Sequence, residues 1–324
     1  MTKTVLALDI GGTNSRLALY SYEKNKIKLV SKEVYPTHDV KTYEKTIYDF
    51  IKEKKVNVKN ICIGFAGPVT NGRATLTNAG ITIDTKKIKK KLDFRQAYLL
   101  NDFYVAAAGV NHLLKKDIFE INKGKKIDSK IKVVIGPGTG LGEAHIIDEK
   151  IYPGEPGYAT ISSQSDLEYN LIKHLQKKYK TQVYWEDILS GRGLVGIYDF
   201  LDSHKKYAKN KIYLEIKKSG LKKGYLITDY ESKNKLCKDT VELFSTFYGR
   251  FVRDTALKLL PSHIFLAGGI SPDILPITKK VFLDEYLKNR KYSEILKKVS
   301  LKLILNRDLG LVGSAAIAFG LQKV

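Results

Sequence analysis

Two short stretches carry the residue types that hold phosphate. Asp9-Ile10-Gly11-Gly12-Thr13-Asn14 follows an apolar run that begins at Val5, and Gly136-Pro137-Gly138-Thr139-Gly140-Leu141-Gly142 follows Lys132 to Ile135. Glycine takes positive φ readily and has no side chain, so a ligand can lie against the N–H groups of such a turn. Each turn is followed by further residues that suit a strand, Ser15 to Tyr20 and Ala144 to Ile147. A Walker loop would need Gly-Lys-Ser/Thr leading into a helix, and a dinucleotide fingerprint would also open one; neither pattern is present. Taken alone, the first turn has an ordinary Gly-Gly hairpin as its alternative reading. Its repetition at the start of two successive halves points to a duplicated fold in which each half grips the ligand.

A second kind of chemistry is suggested by Asn101-Asp102, a polar pair at the end of the apolar run Ala97 to Leu100 and directly before the helix-forming run Phe103 to Gly109. Ligands bind at such strand ends in open α/β sheets.

The elements that must position these residues read in order as strand, hairpin, strand, then helix and strand. Ile27 to Tyr35 is a third strand ended by Pro36, Thr42 to Ile51 has helical apolar spacing, and Asn60 to Ala66 is the next strand. Short strands are expected at Ala74 to Asn78 and Ala97 to Leu100, with a basic amphipathic helix from Thr85 to Leu92 between them. Helical segments are expected at Asp166 to Tyr179, Trp185 to Leu189 and Leu194 to Leu201, punctuated by Ser190-Gly191 and Gly193. From Asp239, Val241, Phe244, Tyr248, Phe251, Val252 and Leu259 mark a long helix with a broad buried face. His263 to Ala267 is a strand that ends in Gly268-Gly269, after which Ser271-Pro272 caps and opens a helix. Leu301 to Leu305 gives a last strand and Gly310 to Gly320 a small-residue helix. The alternation implies layered α/β lobes.

At 324 residues the chain is long enough for two lobes, each with a core. Hydrophobic content of 43% and charged content of 28% are those of a soluble globular protein. No early run has a signal-peptide layout and none is long enough to span a membrane, so a cytoplasmic location is expected. Two cysteines, Cys62 and Cys237, exclude a disulfide framework and a Cys-rich zinc site. The formal charge of +22 would attract anions. Its lysines are scattered in short clusters, however, as on solvated helix faces, and no specific nucleic-acid partner is expected.

Almost end to end, these motifs resemble the bacterial-type glucokinase family, within the sugar kinase, Hsp70 and actin group of ATP-binding folds. Asp9 to Asn14 is similar to the family's first phosphate motif, Gly136 to Gly142 to its second, and Leu266 to Ile270 to its adenosine motif. Leu100 to Phe103, Pro153 to Gly157 and Glu186 to Gly191 resemble its sugar-site segments. The resemblance implies an α/β fold of two lobes, a duplicated ribonuclease H-like (actin-like ATPase) architecture with a cleft between lobes. Residues 1–110 with 308–324 would form the small lobe and 111–307 the large one. It also implies a homodimer.

Carried over position by position, the resemblance implies an ATP-dependent hexose kinase acting on the 6-hydroxyl of glucose. Asp102 matches the general base, for which a carboxylate suffices because positioning contributes much of the rate. Asn78, Asn101, Asp102, Glu155, Tyr158 and Glu186 would line the sugar. Gly11, Gly12, Thr13, Asn14, Gly138, Thr139 and Gly140 would surround the ATP phosphates, and Gly268 and Gly269 would let adenosine lie against backbone. Asp9 would help place Mg²⁺ through water, since this ion keeps several waters and needs few carboxylates. A helix N-cap is the structural alternative for Asp102, and a first-turn acid facing the helix dipole is that for Glu186.

Three departures bear on the sugar. Tyr158 stands where the family pattern has a sugar-binding histidine, which changes the pocket's shape. The segment Thr77 to Ile81 lacks a tryptophan usual near the sugar. Glu143 places a charge just after the second phosphate turn. The alternatives are a kinase for another hexose or amino sugar, one using a phosphoryl donor other than ATP, or a non-catalytic sugar-sensing regulator.

Overall fold

The computed structural model describes residues 4–76, 80–125 and 127–324. In chain order its strands are β1 (Thr4–Ile10), β2 (Asn14–Glu23), β3 (Lys26–Pro36), β4 (Asn60–Phe65), β5 (Arg73–Leu76), β6 (Ile81–Asp84), β7 (Gln96–Asn101), β8 (Ile118–Asn122), β9 (Ile131–Pro137), β10 (Leu141–Ile147), β11 (Lys150–Gly154), β12 (His263–Leu266) and β13 (Ser300–Ile304). Its helices are α1 (Tyr43–Glu53), α2 (Thr85–Leu92), α3 (Asp102–Gly109), α4 (Asp166–Tyr179), α5 (Gly191–His204), α6 (Lys211–Lys218), α7 (Lys223–Asp229), α8 (Lys235–Leu259), α9 (Ser271–Leu287), α10 (Ser293–Leu296) and α11 (Leu309–Phe319).

Two compact units result. One comprises Met1–Asp117, Ala144–Pro153 and Asn306–Val324, and the other Ile118–Glu143 and Gly154–Leu305. The main sheet of the first runs in the order β3-β2-β1-β4-β7. Its hairpin partners are antiparallel, whereas β1, β4 and β7 run parallel with Ile10, Phe65 and Asn101 in register at their carboxyl ends. The six-stranded sheet runs β11-β10-β9-β12-β13-β8. Strands β9, β12 and β13 are parallel, and β8 adds an antiparallel edge. Five neighbours thus repeat the same order, a hairpin-linked triplet followed by two parallel strands. This is the duplication that the twin glycine turns imply.

Separate cores fill the two units. Leu6, Leu8, Ile10, Ile47, Phe50, Ile61 and Ile63 belong to the first. Ile135, Leu189, Phe244, Tyr248, Phe282 and Leu301 belong to the second. The small residues of α11 have a specific use, because this helix packs on β1, β4 and α3. A Cβ at Gly313 would fall on the Val105 carbonyl oxygen, and one at Gly109 would come within 2.6 Å of the Leu309 carbonyl oxygen. No helix among the described residues is long and apolar enough to cross a membrane.

Several expected elements take a different form. Trp185–Asp187 is only a single 3-10 turn. The glycines after it do not punctuate, because Ser190 caps α5 through the Gly193 N–H (3.2 Å) and the helix runs on through Gly193, where a Cβ would strike Ile188 backbone. Ser271 is the first residue of α9 rather than its cap, and its hydroxyl lies 3.0 Å from that of Tyr248 in the interior.

Candidate active site

In the first unit Ile10 lies opposite Ser15, leaving residues 11–14 to turn the chain. The base of the turn is tied down: Gly11 N–H donates to the Asn14 carbonyl (3.0 Å), Thr37 Oγ1 to the Gly11 carbonyl (2.8 Å) and Thr37 N–H to the Thr13 carbonyl (2.9 Å). Beneath it the buried Ser15 Oγ lies 3.0 Å from Thr37 Oγ1 and 2.7 Å from the Tyr43 hydroxyl. Carbonyl oxygens are thereby drawn inward. Gly12 and Thr13 remain exposed at the tip, and open space surrounds the position a Gly12 Cβ would take. Such a tip can admit an anion to the backbone.

Asp9 sits two residues before Gly11, where Arg16 Nη1 donates to its Oδ2 at 2.8 Å. Burial holds the Asp9 carboxyl above its ordinary value despite Arg16, and the charge of Asp308 adds to the rise. Gly310 lies beside it in the first turn of α11, with its missing Cβ 3.6 Å from Asp9 Cγ. A single carboxylate next to an anion-admitting turn fits Mg²⁺ bound chiefly through phosphate oxygens and water. Among the described residues no group of three or more His, Cys, Asp or Glu could hold a metal ion by itself.

Two strands away, β7 delivers Asn101 and Asp102. In-register pairing through β4 puts the turn and this pair at the same edge of the sheet, roughly 10 Å apart at ordinary strand spacing. Asn101 is the N-cap of α3, its Oδ1 accepting from Phe103 N–H (2.9 Å) and Tyr104 N–H (3.2 Å). The capping alternative therefore belongs to Asn101 and not to Asp102. Asp102, the first helical residue, is half-buried, and its Oδ1 accepts from Phe103 N–H at 3.0 Å.

In the second unit Gly138-Thr139-Gly140 joins β9 to β10. The Gly138 N–H donates to the Gly140 carbonyl (2.7 Å), and the Gly138 carbonyl accepts from Gly191 N–H at the start of α5 (2.9 Å). Thr139 is exposed at the tip. Beside this turn runs the loop after β12: a Cβ at Gly136 would stand 2.7 Å from Gly268 N, and Gly268 has φ +81, which L side chains rarely adopt. Gly269 is exposed with open space beside it. Backbone therefore lies against backbone here, leaving a surface without side chains.

Glu186 lies next to the same turn. Its Oε2 accepts from Leu141 N–H (2.9 Å) and its Oε1 from Arg192 Nη2 (2.9 Å), which also donates to Asp187 Oδ1 (3.1 Å). Glu186 is thus not free: it stands in the first turn of the short 3-10 helix Trp185–Asp187, and both of its oxygens are occupied. Glu155 is close enough that partial burial, then the Glu186 charge, hold its carboxyl above the ordinary range. Tyr158, 57% exposed, packs edge-on against Tyr184 with ring centroids 5.9 Å apart. Its hydroxyl is pushed up first by Glu186 and then by burial. Glu155, Tyr158 and Glu186 therefore form one electrostatic cluster.

Asn78 lies outside the described residues. Glu143 is buried on β10, and its Oε2 accepts from Thr255 Oγ1 of α8 at 3.3 Å. Arg192 escaped the sequence reading, although it directly follows the motif segment Glu186 to Gly191. An arginine six residues after a proposed sugar carboxylate was the available signal.

The glucokinase family model matches residues 6–320. The chain belongs to the glucokinase family. Two glucokinases illustrate the relationship, that of Nostoc punctiforme, 30% identical over 97% of this chain and 98% of its own, and that of Shigella dysenteriae, 30% identical over 98% and 97%. A solved glucokinase from an Antarctic psychrotroph superposes with a TM-score of 0.80 at 22% identity, covering 99% of this chain and all of its own. The glucokinase of Balamuthia mandrillaris, solved in complex with glucose, gives 0.78 at 20% over 98% and 94%. This glucokinase-family chain accordingly has the two-lobed actin-like ATPase fold.

Proposed function

We propose that this protein is an ATP-dependent glucokinase in which Asp102 is the general base. Family membership over nearly the whole chain supports the activity. The observation that carries the residue assignment is the division of labour at the start of α3: Asn101 caps the helix, while the adjacent Asp102 stays half-buried at the ligand-bearing edge of the sheet. Asn101, Glu155, Glu186 and Tyr158 offer acceptors and amphoteric groups suited to a polyol, and Asn78 joins them by family resemblance.

In this reading Gly11 to Asn14 and Gly138 to Gly140 hold the ATP phosphates, and Gly268 and Gly269 receive adenosine. As the sugar 6-hydroxyl oxygen bonds to the γ-phosphorus, the bond from that phosphorus to the ADP oxygen breaks and the hydroxyl proton passes to Asp102. Asp9 would hold Mg²⁺ through water, and the bound ion would supply neutralisation of phosphate charge. Exclusion of water limits futile ATP hydrolysis. The same proposal has the enzyme working in glycolysis as a cytoplasmic homodimer.

Coupled ADP-release assays across glucose, other hexoses and amino sugars, with ATP, ADP and polyphosphate as donors, test it. Glucose with ATP is expected to give the highest kcat/KM, and Asp102→Ala to abolish turnover with unchanged unfolding. Near wild-type activity in that variant refutes the base assignment. Preference for another sugar would trace to Tyr158, the exposed replacement for the family histidine.

A further inference from the structure

The second phosphate turn and the cluster around Glu186 are joined by a closed ring of hydrogen bonds. From the turn, the Gly138 carbonyl accepts from Gly191 N–H. One residue on, Arg192 Nη2 donates to Glu186 Oε1, and Glu186 Oε2 accepts from Leu141 N–H, which returns to the turn. Two further contacts brace the ring. Arg192 Nη2 also reaches Asp187 Oδ1, whose partner oxygen accepts from Tyr184 N–H at 2.9 Å. Ser190 caps α5 and so fixes the helix end that carries Arg192. Space is closed as well, because a Cβ on Gly140 would stand 2.5 Å from Glu186 Oε2.

A glutamate has three side-chain torsions, so a neutral pocket would leave its carboxylate several rotamers. Here one oxygen is assigned to the phosphate turn and the other to Arg192. A hexose hydroxyl that donates to Glu186 must share those oxygens, so its arrival alters the hold on Leu141 and on the turn. We propose that Arg192 is a positioning residue that, through Glu186 and Leu141, couples hexose binding to nucleotide binding at the Gly138–Gly140 turn. This rests on the assignment of Glu186 to the sugar and of the turn to ATP phosphate. Coupling between two sites is reciprocal, so each ligand changes the other's affinity by the same factor.

Trp185, the chain's single tryptophan, precedes Glu186 and is buried, which makes its fluorescence a local reporter. Titrations of wild-type protein with AMPPNP and Mg²⁺, with and without saturating glucose, and the reverse pair, give the coupling factor directly. The wild type is expected to show at least about a 5-fold change in affinity, of the same factor in both directions, the lower end of typical allosteric coupling. Arg192→Gln is expected to bring the factor below about 2-fold while each ligand still binds alone. The Arg192 side chain is 52% exposed, so the variant is expected to fold. Glu186→Gln keeps the size and removes the ion pair, and is expected to lose coupling too. Full coupling in Arg192→Gln, or weakened glucose binding with the factor intact, overturns the proposal. So does a wild type that binds both ligands without coupling. A wild type that binds neither refutes the kinase reading as well, a separate result.

Discussion

Gly140→Ala tests whether Glu186 is held where the hydrogen bonds place it. Gly140 does not need a positive φ, so alanine meets no backbone penalty there; the obstacle is Glu186 Oε2, 2.5 Å from the new Cβ. Ordinary contact begins near 3.4 Å, so the carboxylate must retreat by almost an ångström. That movement breaks a 2.9 Å bond from Leu141 N–H and disturbs the pair with Arg192. A hydrogen bond to a charged group is worth about 1.5–3 kcal/mol, and a buried donor left without a partner costs about 1–3 kcal/mol. A destabilisation of about 2–3 kcal/mol follows, a fall in melting temperature of roughly 4–12 °C for a unit of this size. Thermal unfolding of the ligand-free protein, followed by Trp185 fluorescence, measures it without any effect on phosphate binding. Glu186→Ala removes the atom that is struck, so in that background Gly140→Ala should cost less than about 0.5 kcal/mol, and the cycle should be strongly non-additive. Equal costs in both backgrounds would show that Gly140 is required for some other reason.

Two further perturbations address the second unit. Buried Arg250 donates from Nη1 and Nη2 to both oxygens of Glu168 (2.8 Å each) and from Nε to Glu285 Oε1 (3.1 Å); Arg250→Met leaves those acids buried and under-paired, and should cost about 3–5 kcal/mol in urea unfolding. Glu155 binds its proton more tightly folded than unfolded, so its contribution favours the folded state at low pH and is lost as pH rises through the elevated folded value. Glu155→Gln should therefore stabilise the protein at neutral pH while raising KM for glucose, and in the wild type that KM should climb on acidification at a pH above the ordinary glutamate range.

Local signals carried most of the fold. Both glycine turns, the parallel strands that lead to Asn101 and Gly268, and helix α4 follow from apolar spacing and turn chemistry that act over a few residues. Strand β8 was not legible, because Ile118–Asn122 is an edge strand whose alternation is broken by exposed Phe119 and Glu120. Helices α6 and α7 were hidden for a related reason: across Lys211–Asp229 only Tyr213, Ile216 and Ile227 are buried, too few for a clear helical stripe. At the site, the residues that touch ligand in the proposed mechanism were legible as types and spacings. Their supports were not, since Glu186 meets Leu141 across 45 positions and Ser15 meets Tyr43 across 28. Such contacts exist only once the strands are in register.

The same fold repeat has been fitted out differently in its two halves. In the first, neutral groups secure the turn: the Thr37 hydroxyl and N–H hold two of its carbonyls, Ser15 and Tyr43 support Thr37, and the charged pair Asp9–Arg16 lies beyond the Ile10–Ser15 pair that closes the turn. In the second, the Glu186 carboxylate, itself paired with Arg192, accepts from the Leu141 N–H, and the Gly191 N–H at the start of α5 donates to the Gly138 carbonyl. Neutral supports leave a turn indifferent to neighbouring charge and pH, whereas a carboxylate support ties it to whatever else donates to that carboxylate. The chemical asymmetry follows: the Asp9 carboxylate is paired with Arg16 rather than with its turn, whereas any group that donates to Glu186 would also act on the turn that Glu186 holds.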